Sequence, residues 1–342
     1  MKKIPRWSAE KANAWYAAQP WLCGFNYVPA NAVNCTAMWM DGVFSAELID
    51  AELALAEDVG FNCVRVMLPF IVWENEPEAF HERFSIFLKL CARRGMRVMP
   101  SLFDDCCFGD QHNPVFGPQP PMIDGWYSNA WTPSPGHGIV LDSSQWPRLQ
   151  PYVRSMLDTY RADERIVAWD LYNEPTQGVH FGDLHWFLGD VTLPLLELVC
   201  DWAREVNPIQ PFTIGMWDNN PKLNDIILAH SDLLSFHQYS SVADLTTQIQ
   251  ALQAHERPLI CTEWLCRHLN CTPETYLPVL RQYRVGAIHW GLVNGLTLTH
   301  LPWGHLPGQP VPDVWQHDLY HGDHTPYDEN ELVSFRAAIA DA

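Results

Sequence analysis

The chain has 342 residues, 47% of them hydrophobic, enough for a large core and within the range of an α/β barrel built as one unit. Its 40 Asp and Glu outnumber 21 Lys and Arg, for a formal net charge of −19. That balance argues against nucleic acid and anionic membranes as partners and favours a neutral ligand over a polyphosphate. No apolar run reaches the roughly 20 residues of a membrane-spanning helix.

The first twenty residues, MKKIPRWSAEKANAWYAAQP, start basic but carry no apolar h-region, so the expected location is the cytoplasm. Residues 21–27 then read as a strand. Residues 46–60 read as a helix, with Leu48, Ala51, Leu55 and Val59 on one face and Gly60 as its stop. A second strand (61–68) leads to a second helix (80–95), whose Phe80, Phe84, Phe87, Leu88 and Cys91 fall at helical spacing before Gly95. A third strand (96–103) follows directly. Twice, an amphipathic helix ends in Gly and runs into an apolar strand, which is the pattern of βα units on a parallel sheet.

Residues 104–145 show no period. The alternation resumes with a helix (145–163) and a strand (166–174). Next come a helix (193–207) striped by Leu195, Leu198, Val199 and Trp202, and a strand (211–217). Helices near 222–230, 243–255 and 273–283 separate strands at 232–239, 258–264 and 285–292. A second long loop (293–328) precedes the last helix (329–340). Eight strands, each followed by a helix, predict an α/β chain folded as one (β/α)8 domain over residues 1–342. An open doubly wound sheet usually carries a Gly-rich phosphate loop after its first strand, and CGFNYVPAN offers none. The two long loops are rich in Pro, Gly, Trp and His. They fall on the C-terminal face of the predicted barrel, where active sites lie.

Ten cysteines are spaced irregularly, several inside predicted strands or helices. They read as free, buried thiols rather than a disulfide framework. Neither Cys106-Cys107 nor Cys261, Cys266 and Cys271 forms a CxxC pair, and HGDH (321–324) reads as a polar loop. No metal and no cofactor are expected.

The chemistry concentrates at the predicted strand ends. VAWDLYNEP (167–175) is an apolar approach that ends in Asn173 and Glu174, with Pro175 stopping the pairing. A carboxyl held there is raised by burial and by a neighbouring negative charge, as a general acid at neutral pH requires. PLICTEW (258–264) presents a second carboxyl, Glu263, in the same way. Two such carboxyls facing one cavity are the equipment of glycoside hydrolysis, one as acid/base and one as nucleophile. Arg65 in CVRVML would keep the nucleophile ionised, and Tyr239 would hydrogen-bond it. His237 ends the sixth strand beside Tyr239, and Trp290 ends the eighth, where an indole face suits the apolar face of a sugar ring. Asp104 and Asp105 follow the third strand as candidates for contact with sugar hydroxyls.

YNEP after the fourth strand and TEW after the seventh resemble the acid/base and nucleophile motifs of clan A glycoside hydrolases, family 5 (cellulase-like) in particular. The resemblance extends over roughly residues 20–300. It implies a retaining mechanism on β-linked glycosides, with Glu174 as acid/base and Glu263 as nucleophile. It also implies that Asn173 contacts the sugar 2-hydroxyl, that Arg65 and Tyr239 support Glu263, and that His237 lines the subsite. The expected partner is an oligosaccharide, β-1,4 gluco-, manno- or xylo-linked. Two other readings stay open, a non-catalytic carbohydrate-binding barrel and a metal-dependent barrel hydrolase.

Overall fold

A computed structural model describes residues 4–181 and 184–340. In chain order its strands are β1 (Cys23–Asn26), β2 (Cys63–Met67), β3 (Arg97–Ser101), β4 (Trp169–Asp170), β5 (Gly178–Phe181), β6 (Leu184–Phe187), β7 (Phe212–Thr213), β8 (Gly215–Met216), β9 (Leu234–His237), β10 (Leu259–Glu263) and β11 (Gly286–Trp290). β5 and β6 form an antiparallel hairpin, and the other nine segments form one parallel sheet in the order β7-β4-β3-β2-β1-β11-β10-β9-β8. β7 and β8 flank Ile214 and are the two halves of one strand. The first half pairs with β4 and the second with β9. That stagger closes the ring into the eight-stranded (β/α)8 barrel expected from the sequence.

Alternation along each strand decides what lies inside. Cys63, Met99, Ile260 and Ile288 belong to one buried cluster with Leu22, Val167, Ala168 and Leu233, at the floor of the barrel. Tyr16 closes this layer from below. It sits on a helix (Ala9–Ala17) that the sequence reading left unassigned and that Ser8 caps through the Lys11 amide. Val64, Val66, Val98 and Cys261 take the opposite parity and join the large cluster packed under the helices. Two residues above Cys63, on the inner face, stands Arg65.

The predicted helices lie close to their predicted places: Ala46–Val59, Pro77–Arg93, Leu149–Thr159, Leu193–Val206, Pro221–His230, Val242–Gln253, Pro273–Gln282 and Glu329–Ala340. Three expectations need correction. The fourth strand is two residues long, not nine. Its ladder stops at Asp170, whose side chain turns to Arg65. The segment 104–145 is not wholly irregular, because it holds a short helix (His137–Leu141) and the start of a 3-10 turn (Ser143–Arg148). The β5–β6 hairpin was not foreseen. All ten cysteines are unpaired and buried. No helix among the described residues is long and apolar enough to cross a membrane.

Candidate active site

Arg65 is fully buried and organises the mouth of the barrel. Its Nη1 donates to Glu263 Oε1 (2.9 Å) and Asn26 Oδ1 (2.7 Å), and its Nη2 donates to Asp170 Oδ2 (2.6 Å) and Asn173 Oδ1 (2.6 Å). One guanidinium therefore ties β1, β2, β4 and β10 together, using the fixed fork of donors that only Arg carries.

Glu263 reaches the mouth through an irregularity. Strict alternation from the inward Ile260 would turn Glu263 outward. The pairing of β10 with β9 shifts register between Cys261 and Glu263, and this bulge re-aims the carboxylate into the cavity. There it accepts from Tyr239 OH (3.0 Å) as well as from Arg65.

Glu174 lies four residues past the end of β4, with φ 40°, and Thr176 follows at φ 79°. Positive φ is uncommon for a residue with a side chain. Neighbouring bonds hold the turn: Asn173 N to Phe103 O (2.7 Å) and Gly215 N to Tyr172 O (3.2 Å). The Glu174 carboxylate accepts from His237 Nδ1 (2.6 Å), Gln177 Nε2 (3.1 Å) and Cys106 Sγ (3.1 Å). His237 Nδ1 also lies 3.4 Å from Glu263 Oε2. A ligand atom of each of Glu174, His237 and Glu263 lies within 4.8 Å of the others.

Burial pushes Glu174 up, but the hydrogen bond and positive charge of His237 outweigh it and hold this carboxyl low, at about 2, the reverse of the raised carboxyl expected from the sequence. Burial pulls His237 down, and the charge of Glu263 together with the bond to Glu174 raises it above its ordinary value. Glu263 is raised by burial, against the opposing charge of His237, and the charge of Glu174 raises it further. The resting site thus keeps one proton in the His237–Glu174 bond.

These groups form the floor of a cavity of about 400 Å³. Asn173, Glu174, His237, Tyr239, Glu263 and Trp290, all named from the sequence, line it. Arg65 sits directly beneath. Asp104 and Asp105, expected to contact sugar hydroxyls, do not line it. Asp104 accepts from Asn173 Nδ2 (2.8 Å), Trp131 Nε1 (2.9 Å) and the Cys106 amide (3.0 Å). Asp105 accepts from Tyr172 OH (2.7 Å), Thr192 Oγ1 (2.8 Å) and the Thr176 amide (2.9 Å), and burial raises its carboxyl to about 7. Both act by fixing Asn173 and the turn that carries Glu174.

Sequence reasoning missed Asp170, Cys106, Gln177 and Trp131. Asp170 had a legible signal, since a buried Arg with several donors needs more than one acceptor. The others arrive from loops, where no periodicity points inward. The HGDH segment gathers no ligand set: Asp323 accepts from Thr325, and His321 packs on Trp315. Among the described residues, the metal-like group is Glu174, His237 and Glu263. In this structure Arg65 and Tyr239 donate to Glu263, and His237 donates to Glu174.

No family model and no curated protein matches the chain. Solved structures match across most of its length. The endo-1,4-beta-mannanase from Rhizomucor miehei is 14% identical, with 94% of this chain and 95% of that chain covered and a TM-score of 0.61. The exo-beta-1,4-mannosidase Op5Man5 from Opitutaceae bacterium strain TAV5 is 18% identical, covering 94% and 59%, with a TM-score of 0.59. GH5_18 from Streptomyces cattleya, in complex with GlcNAc, is 14% identical, covering 94% and 80%, with a TM-score of 0.61. At these identities the likeness is one of fold. The chain has the (β/α)8 barrel of these glycosidases, the architecture that the YNEP and TEW motifs implied.

Proposed function

We propose that the chain is one catalytic domain, a retaining glycoside hydrolase acting on β-linked oligosaccharides of the gluco-, manno- or xylo- type. The observation that carries this reading is the pair of glutamates. One carboxylate oxygen of each lies within 4.8 Å of one oxygen of the other at the floor of an aromatic-lined cavity. Retaining enzymes hold their carboxyls roughly 5–5.5 Å apart, and inverting enzymes leave room for a water at about 6.5–9.5 Å. The two glutamates also have partners suited to different tasks. Arg65 and Tyr239 donate to Glu263, which favours its ionised form as nucleophile. His237 shares a proton with Glu174.

Transfer of that proton from His237 Nδ1 to Glu174 Oε1 turns the ion pair into a neutral imidazole and a carboxylic acid. Glu174 then protonates the leaving glycosidic oxygen while Glu263 attacks the anomeric carbon. The C–O bond to the leaving group breaks, and a glycosyl ester forms on Glu263. Glu174, now a carboxylate, takes a proton from water, which attacks the same carbon and releases Glu263. Asn173 Oδ1 accepts from Arg65, and its Nδ2 donates to Asp104 (2.8 Å) and to Cys106 Sγ (3.6 Å), so a sugar hydroxyl that takes an Asn173 hydrogen replaces the weak contact to the thiol.

Release of nitrophenol from a panel of aryl β-glycosides tests the reading, with wild type beside Glu174→Ala and Glu263→Ala. Loss of turnover in Glu263→Ala and its rescue by azide, giving the inverted glycosyl azide, is the expected result. Glu174→Ala should lose about 100- to 10,000-fold on substrates that need protonation and give the retained azide. Sugar binding without turnover on every substrate would favour the non-catalytic barrel. Activity abolished by chelators and restored by a metal would favour the metal-dependent one.

A further inference from the structure

The two long loops do not stand apart over the barrel mouth. Tyr127 N donates to His305 O (3.1 Å), and Ser128 N and Oγ both donate to Thr297 O (3.0 Å each). His305 Nδ1 donates to Gly125 O (2.7 Å). Tyr127, Leu298 and Leu301 form a small buried cluster of their own. The loop after β1 is fastened beneath them, through Asn34 Nδ2 to Ala130 O (2.7 Å) and Leu296 N to Ala30 O (3.0 Å). Gly295 passes so close that a Cβ on it would lie 2.3 Å from Ala30 Cα.

In the sheet, β2 and β1 lie between β3 and β11. Loops that leave β3 and β11 and join each other therefore wall off the β2–β1 side of the mouth. On the opposite side the cavity is bounded by Gln177, Trp217 and Gln238; there Trp217 Nε1 donates to Pro175 O (2.8 Å) and its ring stacks on Phe187, contacts between the loops of the neighbouring strands β4 and β8 rather than a bridge across two intervening strands. That open side is the side of Glu174. The leaving group must lie where the acid can protonate its oxygen, so it occupies the open side, and the sugar being transferred sits against the wall. A cleft that cuts mid-chain needs free passage in both directions from the scissile bond. The volume, about 400 Å³, is also towards the small end of the range for ligand pockets.

Resting on the glycosidase reading, we infer that the site is a blind pocket that takes the non-reducing terminal sugar of a β-linked chain and releases single sugars. Its acceptable substrates are short oligosaccharides and simple β-glycosides, not internal segments of polymers.

The test uses the full-length protein and β-1,4-linked manno-, gluco- and xylo-oligosaccharides from disaccharide to hexasaccharide, reduced at the reducing end. Products are followed from the earliest time points, and binding is measured by calorimetry on the same series. Free monosaccharide with reduced pentasaccharide as the first products from hexasaccharide is the expected outcome. Trisaccharide or tetrasaccharide among the first products overturns the blind pocket and leaves the glycosidase reading intact. If no member is cleaved, binding decides. A Kd that varies by less than about threefold with chain length supports the pocket and removes hydrolysis, whereas one that falls about tenfold or more from disaccharide to hexasaccharide overturns the pocket. Neither binding nor cleavage on any member overturns both.

Discussion

Removing the Arg65 guanidinium is the sharpest test of how this mouth is held together. Arg65→Met keeps most of the aliphatic volume and deletes a cation bonded to Asp170, Glu263, Asn173 and Asn26. Asp170 and Glu263 are then buried carboxylates without their charge partner. Breaking one buried pair costs about 3–5 kcal/mol. Against a total stability on the order of 5–15 kcal/mol, that loss is a large fraction. Arg65→Lys provides a folded control, because a point charge satisfies one carboxylate but not the whole fork. Equilibrium urea unfolding, read by tryptophan fluorescence, measures each. Adding Asp170→Asn to Arg65→Met should recover about 1–3 kcal/mol, since it removes one stranded charge and the sites are in contact. A loss under about 1 kcal/mol in Arg65→Met, or strict additivity in the double variant, would refute the claim that this guanidinium compensates two buried carboxylates.

Three further outcomes are expected. Activity requires an ionised Glu263 and the proton shared by His237 and Glu174. Because Glu263 is raised above its usual 4.5 and His237 above its usual 6.5, kcat/KM should fall on the acid side already above pH 4.5. On the alkaline side it should fall only above pH 6.5, and a pH–rate profile with limbs outside those bounds contradicts the assignment. Cys106 donates to Glu174, and burial keeps its thiol neutral, so Cys106→Ala should lower kcat/KM by about tenfold or less and Cys106→Ser should restore most of it. Gly24→Ala places a Cβ 1.7 Å from Cys63 O between β1 and β2, so it should cost at least about 1–3 kcal/mol in thermal or urea unfolding.

How much of this was legible in the sequence varied with the physical origin of each feature. Helices such as Ala46–Val59 and Pro273–Gln282 were readable from their local stop or start signals, but the expected stripe of Ala46–Val59 was the wrong one: Ile49, Leu53, Ala56 and Val59 are buried, while Ala51 is exposed and Leu48 and Leu55 are half-buried. The strands were readable as apolar runs, but not their ends. Nothing in VAWDLYNE says that ladder pairing stops at Asp170, because the stop is made by Arg65 on another strand. Nor does CTEW reveal that a register shift, rather than alternation, points Glu263 inward. The glutamates, Arg65, His237, Tyr239 and Trp290 come together at one cavity because strand ends converge on one face of a barrel. Asp104 and Asp105 stay behind the cavity wall although they too follow a strand, because position at a strand end does not say which neighbours reach a carboxylate first. Cys106, Gln177 and Trp131 depend on loop paths, which follow from contacts distant in the chain.

The helix under the barrel floor bears on how the chain comes off the ribosome. Trp7 N binds Asp232, and Tyr16 OH binds Arg284 O, partners 225 and 268 residues further along. At 5–20 residues per second, Tyr16 waits roughly 15–50 s for its partner to be synthesised. During that interval Trp7, Trp15 and Tyr16 form an apolar tail with no finished surface to cover. The base of the barrel is therefore completed only after Arg284 and β11 have been laid down.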